Sequence, residues 1–73
     1  MNGSETVVGL VESSNGGYER VWSQGNTERV SGPFGKIKSI SNSGGSAIIV
    51  VDQGASGVKK YLYNLTTQDW KNI

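Results

Sequence analysis

The chain has 73 residues, a formal net charge of +1 and neither cysteine nor histidine. A domain of this size buries only about 60% of the surface that its unfolded chain exposes, so its core is thin. The missing residue types exclude disulfides and argue against zinc and soft transition-metal sites, which need thiolate or imidazole ligands. We therefore expect no cofactor and no metal, and we expect a second copy of the chain to supply the missing stability.

The composition is that of a turn-rich soluble protein, with 34% hydrophobic residues, 18% charged residues and 11 glycines. No apolar run reaches the ~18 residues that span a bilayer, and Met1–Glu5 lacks the features of a signal peptide. These patterns predict a flexible N-terminus at residues 1–5, one small β domain at residues 6–73 and no membrane insertion. The compartment stays open, and a secreted or virion protein is compatible with the sequence.

No stretch keeps the apolar spacing of a helix over three turns, so the sequence predicts strands. Asn15-Gly16-Gly17 supplies the positive φ angles that a tight hairpin requires, and Ser31–Gly35 is a loop with the only proline. The apolar run from Ser46 to Val51 lacks alternation, which predicts a central strand covered on both faces. The expected strands are Thr6–Glu12, Tyr18–Ser23, Thr27–Val30, Lys36–Ser41, Ser46–Val51, Val58–Leu65 and a short strand around Trp70.

An internal similarity relates the two halves of the chain at an offset of about 40 residues, within the range of known repeat units. Within the two halves that align, identical residues recur at that offset in three pairs: Val11 and Val51, Gly17 and Gly57, Thr27 and Thr67. The pattern predicts two related hairpins, at residues 6–33 and 46–73, joined by a linking strand at residues 36–41. The alternative to duplication is that any two hairpins with loops of similar length would align this well. The expected fold is an all-β antiparallel meander, arranged as a propeller-blade-like repeat or as a small barrel or sandwich.

The second half resembles one blade of a kelch-type or fungal-lectin-type β-propeller. The resemblance covers residues 36–73 and consists of an apolar strand, a glycine turn, an aromatic strand and Trp70, with a weaker echo over residues 6–30. It departs from kelch blades at Asp52-Gln53-Gly54, where those carry two glycines, and from the fucose-binding lectins at Lys60. The resemblance therefore implies no sugar-contacting residues. It does imply a ring of subunits, because fewer than two blades cannot close a propeller.

Catalysis is disfavoured because the usual general bases and nucleophile activators are absent. A carboxylate pair of the glycosidase type is conceivable at Glu12 and Asp52, which the repeat places at equivalent strand ends. The favoured interpretation is that both residues begin solvated turns. No loop has the spaced carboxylates of a calcium site. We therefore expect no catalytic residues and a protein that is not an enzyme.

The candidate ligand-binding residues are the aromatic side chains Trp22, Tyr61, Tyr63 and Trp70, together with Lys60. Aromatic rings can stack on sugars or bases. Tyr61 and Tyr63 share one face of their strand, whereas Lys60 points the other way. The alternative is that these rings fill a small core that has few other bulky residues.

The expected function is a non-catalytic binding or assembly module that forms a homo-oligomer, with a carbohydrate or surface ligand as in a lectin. A structural protein of a virion or phage is the first alternative. A nucleic-acid-binding small barrel is the second, although a net charge of +1 is low for such a domain. That barrel would use Lys36, Lys38, Lys59 and Lys60 with Tyr61 and Tyr63.

Overall fold

The computed structural model describes residues 6–73, and the predicted flexible segment at residues 1–5 lies outside the described residues. The described chain forms two antiparallel sheets, of three and four strands, that do not close into a barrel. The expected all-β meander is confirmed. In chain order the strands are β1 (Val7–Glu12), β2 (Tyr18–Trp22), β3 (Thr27–Val30), β4 (Lys36–Ser43), β5 (Ser46–Asp52), β6 (Val58–Asn64) and β7 (Trp70–Asn72).

Each sheet follows the chain order, as β1-β2-β3 and β4-β5-β6-β7, so every connection within a sheet joins neighbouring strands. The linking strand is β4, which pairs with β5 and so becomes the first strand of the second sheet. The turn between β5 and β6 contains a single 3-10 turn at Gly54–Ser56. Residues 6–73 include no helix that is long and apolar enough to cross a membrane.

The core lies between the two sheets. The first sheet contributes the buried Leu10 and Tyr18. The second sheet contributes Ala47, Ile49, Val51 and Tyr63, and Leu65 follows directly after β6. Burial alternates along β5, where Ile48 and Val50 are only half-buried. The predicted central strand is therefore central in its sheet, but it is covered on one face and not on both. The pleat turns alternate side chains away from the core, and the first sheet covers only one face.

Asn42 joins the two sheets where the edge strands β1 and β4 meet. The backbone N–H of Leu10 donates to Asn42 Oδ1 at 2.8 Å, and Asn42 Nδ2 donates to the carbonyl of Leu10 at 3.2 Å. One side-chain amide thus satisfies both backbone groups of a residue on an edge strand, as a neighbouring strand would. A Cβ at position 9 would lie only 3.0 Å from Asn42 Cγ. Because Gly9 has no Cβ, the amide of Asn42 can approach β1 this closely.

Arg20 makes the second polar connection between the sheets and is almost fully buried. Its Nη1 donates to the backbone carbonyl of Leu65 at 2.8 Å, and its Nε and Nη2 both donate to Glu28 Oε1 on β3. The guanidinium also lies 5.1 Å from the ring centroid of Trp22. Because the charge is paired and each guanidinium nitrogen donates a hydrogen bond, Arg20 can stay within the thin core.

The hairpins β1–β2 and β5–β6 have the same register at the offset of the internal repeat. Leu10 pairs with Arg20 as Val50 pairs with Lys60, and Glu12 pairs with Tyr18 as Asp52 pairs with Val58. The turns also share a backbone bond, from residue 13 to residue 17 and from residue 53 to residue 57. The third strands depart from the repeat, because Val21 pairs with Thr27 whereas its counterpart Tyr61 pairs with Asn72. Duplication of one ancestral hairpin stays a prediction.

We expect Asn42→Ala to lower the free energy of unfolding by about 1–2 kcal/mol, because it leaves the N–H and C=O of Leu10 without their partner. Urea unfolding measures the change. Ser41→Ala is the matched control, because Ser41 is an exposed neighbour on the same strand. Equal stability of the two variants would contradict the role given to Asn42.

Burial raises the pKa of two phenols in the core, Tyr18 and Tyr63, above the ordinary value of 10.0. The charges of Tyr61 and Glu12 raise the pKa of Tyr18 further. For Tyr63, the positive charge of Arg20 partly opposes the effect of burial by lowering the pKa. A raised pKa means that the folded state favours the neutral phenol, so this stabilisation is complete below pH 10 and is lost as the pH rises through the folded-state pKa.

The free energy of unfolding should therefore fall as the pH is raised above 10, because the unfolded chain ionises its phenols first. Chemical unfolding followed by circular dichroism at a series of alkaline pH values checks this. Tyr63→Phe removes one of the two groups and should make the decline shallower. An equally steep decline in Tyr63→Phe would show that its phenol does not contribute.

Candidate ligand groove

Three of the five predicted site residues meet in one aromatic cluster. Trp70 packs against Tyr63, Tyr18 and Tyr61, with ring centroids 4.4, 5.0 and 6.5 Å from its own. Tyr63 is fully buried, while Trp70 and Tyr61 are half-buried. The cluster therefore belongs mainly to the packing between the sheets, and Trp70 is its centre.

The other two predicted site residues lie apart from this cluster. Trp22 is on β2, where it packs against the guanidinium of Arg20. Lys60 is exposed and faces away from Tyr61 and Tyr63, since alternate residues of a strand point to opposite faces. The structure thus unites Tyr61, Tyr63 and Trp70 and leaves Trp22 and Lys60 outside.

The lysines named for nucleic-acid binding do not form one surface with the tyrosines. Lys36 and Lys60 lie on the outer face of the second sheet, and Lys38 lies at a register shift in β4. Lys59 lies on the inner face with the tyrosines, where it pairs with the buried Val51, and so it is separated from Lys36 and Lys60 on the outer face. Since Tyr63 is fully buried, its ring offers no face to a base.

The aromatic cluster fixes the loop of residues 31–35 that joins the two sheets. Trp70 Nε1 donates to the carbonyl of Ser31, and the Tyr18 hydroxyl donates to the carbonyl of Pro33, both at 2.9 Å. Gln53 Nε2 donates to the carbonyl of Phe34 at 3.0 Å. Three side chains from three distant parts of the sequence therefore hold three carbonyls of one short loop.

Two glycines allow this loop to approach its supports so closely. A Cβ at Gly32 would lie 2.5 Å from Trp70 Cζ2 and 2.8 Å from Tyr18 Cε2, which is closer than real Cβ contacts. Gly35 has φ +131°, and a Cβ there would lie 2.7 Å from the carbonyl oxygen of Asp52. Both positions therefore require glycine.

The fixed loop presents Phe34, whose side chain is 77% exposed. Phe34 stands at the rim of an open groove of about 410 Å³ that runs between this loop and the β1–β2 turn. The turn side is formed by Asn15, Gly16 and Gly17, and Arg29 also lines the groove. An exposed aromatic ring on a fixed loop loses little conformational entropy when a ligand stacks on it.

The groove combines one exposed aromatic ring with the side chain of Arg29, unpaired within the described chain, and the amide of Asn15. Arg29 is exposed, and no ion pair or hydrogen bond of its side chain is seen among residues 6–73. Asn15 Oδ1 accepts hydrogen bonds from the Ser13 hydroxyl and from the N–H of Gly17, which fixes the amide at the groove. The N–H groups of Gly16 and Gly17 donate within the turn, to the carbonyl and the hydroxyl of Ser13. This arrangement suits a ligand with an apolar face and several acceptor oxygens.

Neither Phe34 nor Arg29 was among the predicted site residues. The available signal was the sequence Gly32-Pro33-Phe34-Gly35, in which a large aromatic side chain stands between glycines in the only proline loop. Asp52, considered as half of a carboxylate pair, accepts the N–H of Gly54 at 3.0 Å and so supports its turn. Residues 6–73 contain no cluster of acidic residues that could hold a metal ion.

Comparison with known proteins adds no relative. No protein-family model matches the chain, and no curated protein or solved structure matches it significantly. The function must therefore be inferred from the geometry of the chain itself.

Gly32→Ala should lower the free energy of unfolding by about 1–3 kcal/mol, because the added methyl group collides with Trp70 and Tyr18. It should also change the tryptophan fluorescence, since Trp70 must move. Gly45→Ala is the matched control, because a Cβ there meets no atom within 4 Å. If both variants unfold alike, the loop is not packed against the cluster as described.

Proposed function

We propose that the chain is a non-catalytic, self-associating binding module that binds carbohydrate in the groove beside Phe34. The observation that supports this is the exposed Phe34 ring, 77% accessible, on a loop that three side chains hold by its carbonyls. A sugar ring has one face of C–H groups that can pack on an aromatic ring, and hydroxyls at its edge that require donors and acceptors. The groove offers both kinds of contact.

Arg29 favours an acidic sugar over a neutral one. Arg29 lines the groove, and its guanidinium makes no ion pair in the described chain, so it can bind a carboxylate or sulfate through two parallel hydrogen bonds. The side-chain amide of Asn15, which also lines the groove, can contact the remaining hydroxyls. We therefore expect a uronic acid or a sulfated sugar to bind more tightly than its neutral counterpart.

The alternative of a nucleic-acid-binding barrel has less support, because the sheets do not close and Lys60 faces away from Tyr61 and Tyr63. A purely structural role in a virion or phage would need the same self-association without a ligand. The glycan experiment separates that role from a lectin-like one.

Binding to an array of neutral and acidic glycans tests the proposal. Phe34→Ala should weaken the best signal at least tenfold, a loss of about 1.4 kcal/mol, without changing the thermal unfolding. Arg29→Gln should reduce binding of acidic glycans and leave neutral ones unchanged. Ile73→Ala removes another exposed apolar side chain, after β7 and outside the groove, and is the control.

The absence of any glycan signal, or a signal that Phe34→Ala leaves intact, contradicts carbohydrate binding in the groove. A wild-type oligomer with no glycan signal would instead indicate the structural role.

A further inference from the structure

The two equivalent hairpins bury opposite faces. On β2 the inward side chains are Tyr18 and Arg20, and both are buried. Their counterparts in the internal repeat, Val58 and Lys60, are exposed on the outer face of β6. Conversely, Tyr63 is fully buried, whereas its counterpart Ser23 is exposed. The two sheets therefore pack against each other through faces that do not correspond to each other in the internal repeat.

The sheets are also stacked in the same order and direction. β1 packs against β4 and β5. Tyr18 at the start of β2 contacts Trp70, which pairs with Tyr63. Arg20, two residues after Tyr18, reaches Leu65, two residues after Tyr63. β2 and β6 thus run the same way, and the second sheet follows the first as the next layer of a stack.

A stack of this kind has two different free ends. The outer face of the second sheet carries the half-buried Ile48, Val50 and Leu62 and the exposed Val58. The outer face of the first sheet carries Val11, which is 40% exposed, and Val21. In the internal repeat, the outer face of the second sheet corresponds to the inner face of the first, and the outer face of the first corresponds to the inner face of the second. Each exposed face therefore corresponds to a face that is covered within the chain.

We propose that copies of the chain associate head to tail, with the outer face of the β4–β7 sheet packing on the outer face of the β1–β3 sheet of the next copy. The inference rests on the self-association in the proposed function and assigns its surfaces. A second copy is the occupant because the chain itself carries the complementary face, and because the contact continues the packing already present between its sheets. Such a heterologous contact grows into a closed ring or a filament.

The charges at the two faces are compatible with this contact. Lys60 stands at the position of Arg20, which bridges the sheets within the chain through the carbonyl of Leu65. Lys36, Lys60 and Lys71 lie on the outer face of the second sheet together with the acidic Asp52, and Glu19 lies opposite Val11 on the outer face of the first. Arg29 is the cross-strand neighbour of Glu19 and also lines the groove beside Phe34.

Blocking each face separately tests the head-to-tail arrangement by native mass in light scattering. Val58→Glu blocks one face and Val11→Glu blocks the other, so each variant alone should have the mass of a single chain. An equal mixture retains one compatible pair of faces and should give a dimer that contains one copy of each. Ser14→Glu adds the same charge in an exposed turn and should keep the wild-type mass.

Circular dichroism verifies that each variant is folded, and Val58→Gln with Val11→Gln replaces the pair if the glutamates unfold it. A wild-type chain that is monomeric at all concentrations overturns both the self-association and this inference. A wild-type oligomer whose mass survives both variants overturns the head-to-tail surfaces alone. Dissociation by Val58→Glu but not by Val11→Glu would reveal a twofold contact and also overturn the inference.

Discussion

The indole of Trp70 contacts both sheets and the loop that joins them. Its ring lies 4.4 Å from that of Tyr63 in the second sheet and 5.0 Å from that of Tyr18 in the first, measured between centroids. Its N–H holds the carbonyl of Ser31. In a domain with so few large side chains, one indole thus fixes the spacing of the sheets, the position of the loop and the glycine at position 32.

Polar side chains complete the packing that a core of seven buried apolar side chains leaves unfinished. Asn42 supplies the edge of β1 with the hydrogen bonds of a missing strand, and Arg20 links β2 to Glu28 and to the end of β6. Both residues join parts of the chain that are distant in sequence, since Asn42 binds Leu10 and Arg20 binds Leu65. The two sheets are therefore held by a few specific contacts in addition to apolar burial, which is the expected situation for a domain of this size.

The positions of the strands could be predicted because turns and strands are encoded locally. Glycine turns and β-branched runs placed every hairpin, and the internal repeat anticipated the shared register of β1–β2 and β5–β6. The buried faces could not be predicted in the same way, since β6 carries apolar or amphipathic residues on both sides. Contacts between distant parts of the chain, such as that of Tyr63 with Trp70, place the face of Tyr63 in the core and that of Leu62 outside.

The candidate site was beyond local prediction for a similar reason. Phe34 matters because Tyr18, Gln53 and Trp70 hold its loop, and these residues lie 15 to 39 positions from the carbonyls they bind. The aromatic residues predicted as a binding face are instead the support of the loop that presents another aromatic ring. The proposed binding site and the packing are thus coupled, because the same cluster that closes the core at one end fixes the rim of the groove.

The Trp70 cluster should make the backbone of residues 31–35 as rigid as that of a strand. The geometry of the groove depends on this rigidity. Backbone amide order parameters from nuclear magnetic resonance relaxation measure it directly in the unliganded protein. A loop held in this way should give values for Phe34 and Gly35 close to those of β5, about 0.85. Values below about 0.6 in this loop, with ordered strands on either side, would contradict it.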